Sequence, residues 1–102
     1  MNNESYDYDD DFEHAADAYE RKDYKTAYKV FFALAEQGDA DAQNNLGLMY
    51  DLGNGVSQDY KQAVKWFKLA AEQGEAEAQF NLAQMYYEGQ GIAQDYKEAE
   101  KL

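Results

Sequence analysis

The sequence contains no cysteine and no proline. The first absence excludes disulfides, thiolate nucleophiles and cysteine-ligated metals. The second removes the strongest break from any helical run. Histidine occurs once, at His14, and serine only at Ser5 and Ser57. No stretch approaches the ~20 apolar residues needed to cross a bilayer. The start, MNNESYDYDDDFEHAADAY, has neither a basic onset nor an apolar core, so it does not read as a secretory signal. Cytoplasmic residence is the resulting expectation. Positive charge is also scarce: 9 basic residues face 21 acidic ones, for a net charge of −12. Such a balance repels phosphate backbones and anionic membranes and favours basic partners. Neither nucleic acid nor a membrane is therefore expected as a partner.

What is present suffices for one small domain of 102 residues, with 45% apolar residues to form a core. Tyrosine is abundant, at 10, and can fill helix contacts while keeping its hydroxyl near water. The decisive feature is repetition. AEQG occurs at Ala35–Gly38 and again at Ala71–Gly74, 36 residues on. Extended from those points, residues 35–66 align without gaps to residues 71–102, with 19 of 32 positions identical by direct count. Within each copy the apolar period is helical. Ala42, Leu46, Met49 and Tyr50 match Ala78, Leu82, Met85 and Tyr86, each set on one helix face. A second stripe follows at Tyr60, Ala63, Trp66, Phe67 and Ala70. The joining segments DLGNGVSQD and YEGQGIAQD carry paired glycines for a tight turn, and Asp59 and Asp95 can cap the helix that follows.

The unit is thus a helix hairpin, with helices expected at 40–51, 59–72, 75–87 and 95–102. DYKTA at 23–27, DYKQA at 59–63 and DYKEA at 95–99 keep the same spacing and reveal an upstream hairpin. Its first helix presents Phe12, Ala15, Ala16 and Tyr19, and its turn is shorter. The expected organisation is an acidic, flexible segment at 1–11 followed by one repeat domain at 12–102, divided at 38/39 and 74/75. The second helix of the last hairpin stops early, which leaves an apolar edge where copies could join end to end. Trp66 is expected in the core, and Ala42, Gly47 and Ala63 are expected to permit close helix approach. Gly38 and Gly74 are expected to close their helices in the left-handed conformation.

ADAQNNLGLMYDLGNGVSQDYKQAVKWFKLAAEQG and AEAQFNLAQMYYEGQGIAQDYKEA together resemble Sel1-like repeats, within the tetratricopeptide-like class, over residues 39–102. Residues 12–38 resemble a plain tetratricopeptide hairpin, because the glycine loop is absent there. Ala83 and Gln84 depart from the pattern, standing where the preceding copy has Gly47 and Leu48. The resemblance implies an all-α fold, a right-handed α/α superhelical solenoid of antiparallel helix hairpins. It also implies a groove lined largely by first helices.

Catalytic vocabulary is missing. His14 has Asp10, Asp11 and Asp17 near it, but no HExxH arrangement, calcium-loop spacing or second histidine accompanies it, so no metal site is expected. Asp39/Asp41 and Glu75/Glu77 sit at helix starts, where negative charge is favourable, and do not read as a catalytic carboxylate pair. GNG and GQG do not continue as phosphate-binding loops. No cofactor and no enzymatic activity are expected. The clue to function lies in positions where the copies differ: Asp41/Glu77, Asn44/Phe80, Leu48/Gln84 and Asp51/Tyr87. They form a stripe expected to face away from the shared packing surface. Asp41, Asn44, Leu48, Asp51, Glu77, Phe80, Gln84 and Tyr87 are therefore the candidate contacts for a protein or peptide segment carrying basic residues. Acidic positions would select Lys or Arg while Phe80 or Tyr87 anchors an apolar group. Self-assembly into a homo-oligomer through the exposed C-terminal repeat is the alternative.

Overall fold

Acidic side chains fix where the helices begin. Asp39 accepts a hydrogen bond from the Ala42 amide at 2.9 Å, and Asp59 accepts from Lys61 and Gln62 at 3.1 and 3.2 Å. Glu75 accepts from Glu77 and Ala78 at 3.0 and 3.2 Å, and Asp95 accepts from Glu98 at 3.0 Å. Each satisfies amides that a helix N-terminus leaves without an internal partner. In this computed structural model, which describes residues 8–91 and 95–101, the resulting elements are α1 (Tyr8–Glu20), α2 (Tyr24–Glu36), α3 (Ala40–Leu52), α4 (Tyr60–Glu72), α5 (Ala76–Glu88) and α6 (Tyr96–Lys101). Each packs on the next, forming antiparallel hairpins α1–α2, α3–α4 and α5–α6 in an all-α repeat stack of 53 × 25 × 18 Å.

The four later helices match expectation to within a residue or so. α1 does not: it begins at Tyr8, inside the segment expected to be flexible. The remainder of that acidic segment, residues 1–7, lies outside the described residues, as do 92–94 and Leu102.

The AEQG corners are helix terminators tied to the next hairpin. At the first, the Gly38 amide donates to the Ala35 carbonyl and the Asp39 amide to that of Leu34, with Gly38 at φ +97°. This is the Schellman closure, and Gly74 repeats it at φ +91°. The Gln43 side chain, buried in α3, then donates from Nε2 to the Ala35 carbonyl at 3.1 Å. Gln79 does the same to Ala71 at 3.2 Å. Gln73 links successive corners, donating to the Gly38 carbonyl and to Gln43 Oε1 at 3.0 and 2.9 Å. The amide pattern explains why AQ follows AEQG in both copies.

Two apolar clusters lie on either side of this framework. The first joins Ala15, Ala18, Ala27, Phe31, Leu34, Leu46, Met49 and Trp66; the second joins Ala63, Val64, Phe67, Ala70, Ala78, Leu82 and Met85. Trp66 is 4% exposed and meets Phe32 of α2 edge-on, with centroids 6.1 Å apart, so it ties neighbouring second helices together. The tyrosines act as expected at the margins. Tyr28 and Tyr50 share a hydroxyl hydrogen bond of 2.8 Å, and Tyr19 accepts from Asn54 at 2.9 Å. Burial, then the Tyr28 contact, pushes the Tyr50 phenol up to about 12.

Close approach governs three glycines, Gly47, Gly55 and Gly91, the last with a Cβ that would stand 2.5 Å from the Tyr60 carbonyl oxygen. A Cβ at Gly47 would stand 2.6 Å from the Phe67 ring, and one at Gly55 would stand 2.8 Å from the Tyr24 carbonyl oxygen of the preceding hairpin. Alanine ordinarily stabilises a mid-helix glycine position by roughly 0.5–1 kcal/mol. Gly47→Ala should instead lose about 1–3 kcal/mol in urea unfolding, because Phe67 must move; a gain in stability would refute the close contact. Gln43→Leu should also cost about 1–3 kcal/mol by the same measurement, since the Gln73 amide loses its side-chain acceptor and the corner its buried tie.

Candidate functional site

Charge is segregated by helix. None of the nine Lys and Arg residues lies on α1, α3 or α5. Seven occupy α2, α4 and α6, and Arg21 and Lys22 occupy the first turn. The first helices are therefore acidic and the second helices carry the cations, with Lys61, Lys65 and Lys68 flanking Val64 and Leu69 on α4.

The eight candidate residues divide into three groups on α3 and α5. Phe80, Gln84 and Tyr87 come together on α5, where with Ala83 they line one wall of a groove of about 350 Å³. Ala99 and Glu100 of α6 form the other wall. Phe80 is 63% exposed and Tyr87 60%. These large apolar side chains stand open to solvent beside a carboxylate, which suits an anchor site rather than a core.

Asp41, Asp51 and Glu77 form the acidic group. A hydrogen bond to the Glu75 carboxyl, followed by burial and the charge of Glu75, raises Asp41 above the ordinary aspartate value. Burial first, then the charge of Glu88, raises Asp51. In both places a carboxylate of one repeat faces a carboxylate of the next, so a cation placed between them would relieve repulsion.

Asn44 and Leu48 depart from expectation. Asn44 is 2% exposed: its Nδ2 donates to Glu77 Oε1 at 2.9 Å and its Oδ1 accepts from Asn81 at 3.0 Å. Leu48 is half-buried against the α4–α5 core. Both belong to the joint between repeats, because α5 packs over the face of α3 that they occupy. Sequence comparison missed Gln43, Ala99 and Glu100; Gln43 could have been found as the conserved letter between copies that is polar yet on the apolar face.

His14 is exposed on α1, and among the described residues no group of three or more His, Asp or Glu side chains could hold a metal. No described helix is long and apolar enough to cross a membrane.

The Sel1 repeat family profile matches residues 40–75 and 76–102. The chain belongs to the Sel1 repeat family. Its repeats accordingly place it in the tetratricopeptide-like class of helical protein–protein interaction repeats. Among solved structures, it is similar to a Sel1 repeat protein from Oxalobacter formigenes, with 43% identity and a TM-score of 0.73, covering 76% of this chain and 32% of that one. It is also similar to c5321, a protective antigen of uropathogenic Escherichia coli with an SLR fold, at 35% identity and a TM-score of 0.86, covering 92% and 21%. Cysteine rich protein B of Helicobacter pylori shares the fold at 17% identity, with a TM-score of 0.72 and coverage of 92% and 81%. The chain thus spans about a third or less of the length of the first two. Comparison with curated proteins finds no match.

The raised carboxylates carry a pH consequence. A carboxyl held above its ordinary 3.8 binds more protons in the folded state, so its contribution falls as pH rises from that value through the folded one. Asp51→Asn should melt at a higher temperature than the parent near neutral pH, and the difference should close below pH 3.8, where both states are protonated. A difference that persists in acid would point to a cause other than charge.

Proposed function

We propose that this Sel1 repeat chain is an adaptor or scaffold module that binds a protein or peptide segment carrying basic residues, through the exposed face of α3 and α5. One observation carries the reading. Of the four large apolar side chains exposed among the described residues, Leu52, Phe80 and Tyr87 lie on first helices, which bear carboxylates and no cation. An apolar anchor flanked by acidic pairs selects a segment that combines Lys or Arg with an aliphatic or aromatic residue. Asp41, Asp51 and Glu77 supply the attraction, Phe80 and Tyr87 the contact area, and Gln84 a hydrogen-bonding edge. Asn44 and Leu48 act indirectly, by fixing the spacing of α3 and α5.

The second reading, self-assembly through the repeat ends, draws on the same exposed groove. Capture experiments at native salt with the parent and a Phe80→Ala/Tyr87→Ala variant separate the two. The adaptor reading expects partner retention to fall by about ten-fold or more while the helical spectrum and melting temperature stay put. If the variant retains its partners and loses only self-association in sedimentation, the adaptor reading fails.

A further inference from the structure

Two exposed letters recur in every hairpin without a packing reason. Lys25, Lys61 and Lys97 are spaced by 36 residues, as are Lys29, Lys65 and Lys101, and all six are exposed. Other letters shared by the copies have structural uses. Asp23, Asp59 and Asp95 cap helices, and Ala27 and Ala63 are buried.

Local energetics run against the lysine positions. Lys25 and Lys61 stand in the first turn of α2 and α4, where the helix macrodipole favours anions over cations. Lys25 and Lys29 lie four apart on one helix face, as do Lys61 and Lys65, and like charges at that spacing repel. No ion pair offsets this. The ion pairs among the described residues are Arg21–Asp17 and Lys101–Glu98. A chain with 21 acidic residues thus leaves these four lysines of α2 and α4 unpaired.

Packing gathers the four on one side. The edge-on contact of Trp66 with Phe32 sets α4 beside α2, and the Lys65 ammonium lies 4.8 Å from the centre of the Trp66 ring. Leu69 follows Lys65 by four residues on the same face and is 38% exposed. α2 and α4 together carry five lysines against Glu36 and Glu72, whereas α1, α3 and α5 carry carboxylates and no cation. Even the shortest dimension of the stack, 18 Å, exceeds twice the Debye length of about 8 Å at physiological salt. Carboxylates across the stack are therefore largely screened from this face.

We propose that the outer face of α2 and α4 binds an acidic segment of a partner protein, with one carboxylate between Lys25 and Lys29, another between Lys61 and Lys65, and an apolar side chain on Leu69. A carboxylate at either place relieves the like-charge repulsion and meets two ammonium groups. This site is separate from the first-helix face and stands without it; with both, the module joins a basic partner to an acidic one. A phosphate backbone or an anionic membrane presents far more charge than four lysines answer, and a chain of net charge −12 repels it.

The test titrates the full 102-residue chain with a Glu-rich peptide that carries leucine at every fourth position, and with its Gln-for-Glu counterpart. Trp66, the one tryptophan, reports occupancy by its fluorescence as Lys65 is drawn from the ring, and calorimetry reads the variants. The glutamate peptide should bind about ten-fold more tightly than the glutamine peptide. Lys29→Gln/Lys65→Gln should abolish that preference. Arg21→Gln/Lys22→Gln, which removes the same charge elsewhere, should keep it; equal loss there would reduce the effect to net charge and overturn the site. Phe80→Ala/Tyr87→Ala should keep it too, and loss there would move the acidic segment to α5 and overturn this proposal. Lys25→Gln/Lys61→Gln should melt no lower than the parent, and a lower melting temperature would give the lysines a structural role instead. Phosphatidylserine vesicles or oligothymidine bound more tightly than the glutamate peptide, through the same lysines, would overturn a protein segment as the occupant. Lysine-dependent self-association in sedimentation would make a second copy the occupant and overturn it as well.

Discussion

The buried Gln43 side chain holds the repeats in register. Its amide reaches the Ala35 carbonyl at the end of one hairpin while its oxygen receives Gln73 from the corner that ends the next. Backbone groups at a helix terminus need partners, and here the following hairpin supplies one. Gln79 repeats the tie at Ala71. A contact of this kind restrains angle as well as distance, because an amide hydrogen bond weakens steeply when misaligned. The placing of α3 against the ends of α2 and α4 follows from that restraint. Apolar burial supplies most of the driving force in such a stack, but it is non-directional. The glutamines make the joint specific.

With the angle fixed, close approach can be used. Gly47 admits the Phe67 ring against the α3 backbone, and Gly55 admits the loop against Tyr24 of the preceding hairpin. The glycine loop is therefore part of the joint, which the sequence alone presents as a turn. In the first hairpin, which lacks that loop, Lys22 turns the chain at φ +66° instead.

The repeat period, the helix faces, the acidic N-caps and the role of Trp66 were all legible in the residues, since each depends on interactions a few positions apart or on a second copy of the same pattern. The start of α1 was harder to see. A run such as YDDD has the composition of a solvated tail and carries no apolar period to mark it as helix. Asn44 failed for a different reason. Variation between copies marks any position whose neighbour varies, and that neighbour can be solvent, a partner or the next repeat. Asn44 and Glu77 lie on different helices 33 residues apart, so no helical period reveals their contact.

That distinction alters what an internal repeat can say about binding. Equivalent positions need not have equivalent surroundings: α5 covers Asn44, whereas Phe80 is open. An exposed aromatic in the register of a buried polar residue is therefore more informative than an exposed aromatic alone. Had Phe80 merely occupied another copy of the α3–α5 joint, an asparagine there would have satisfied the carboxylate of the helix above it. Phenylalanine forfeits that hydrogen bond and gains only if the opposing residues are apolar.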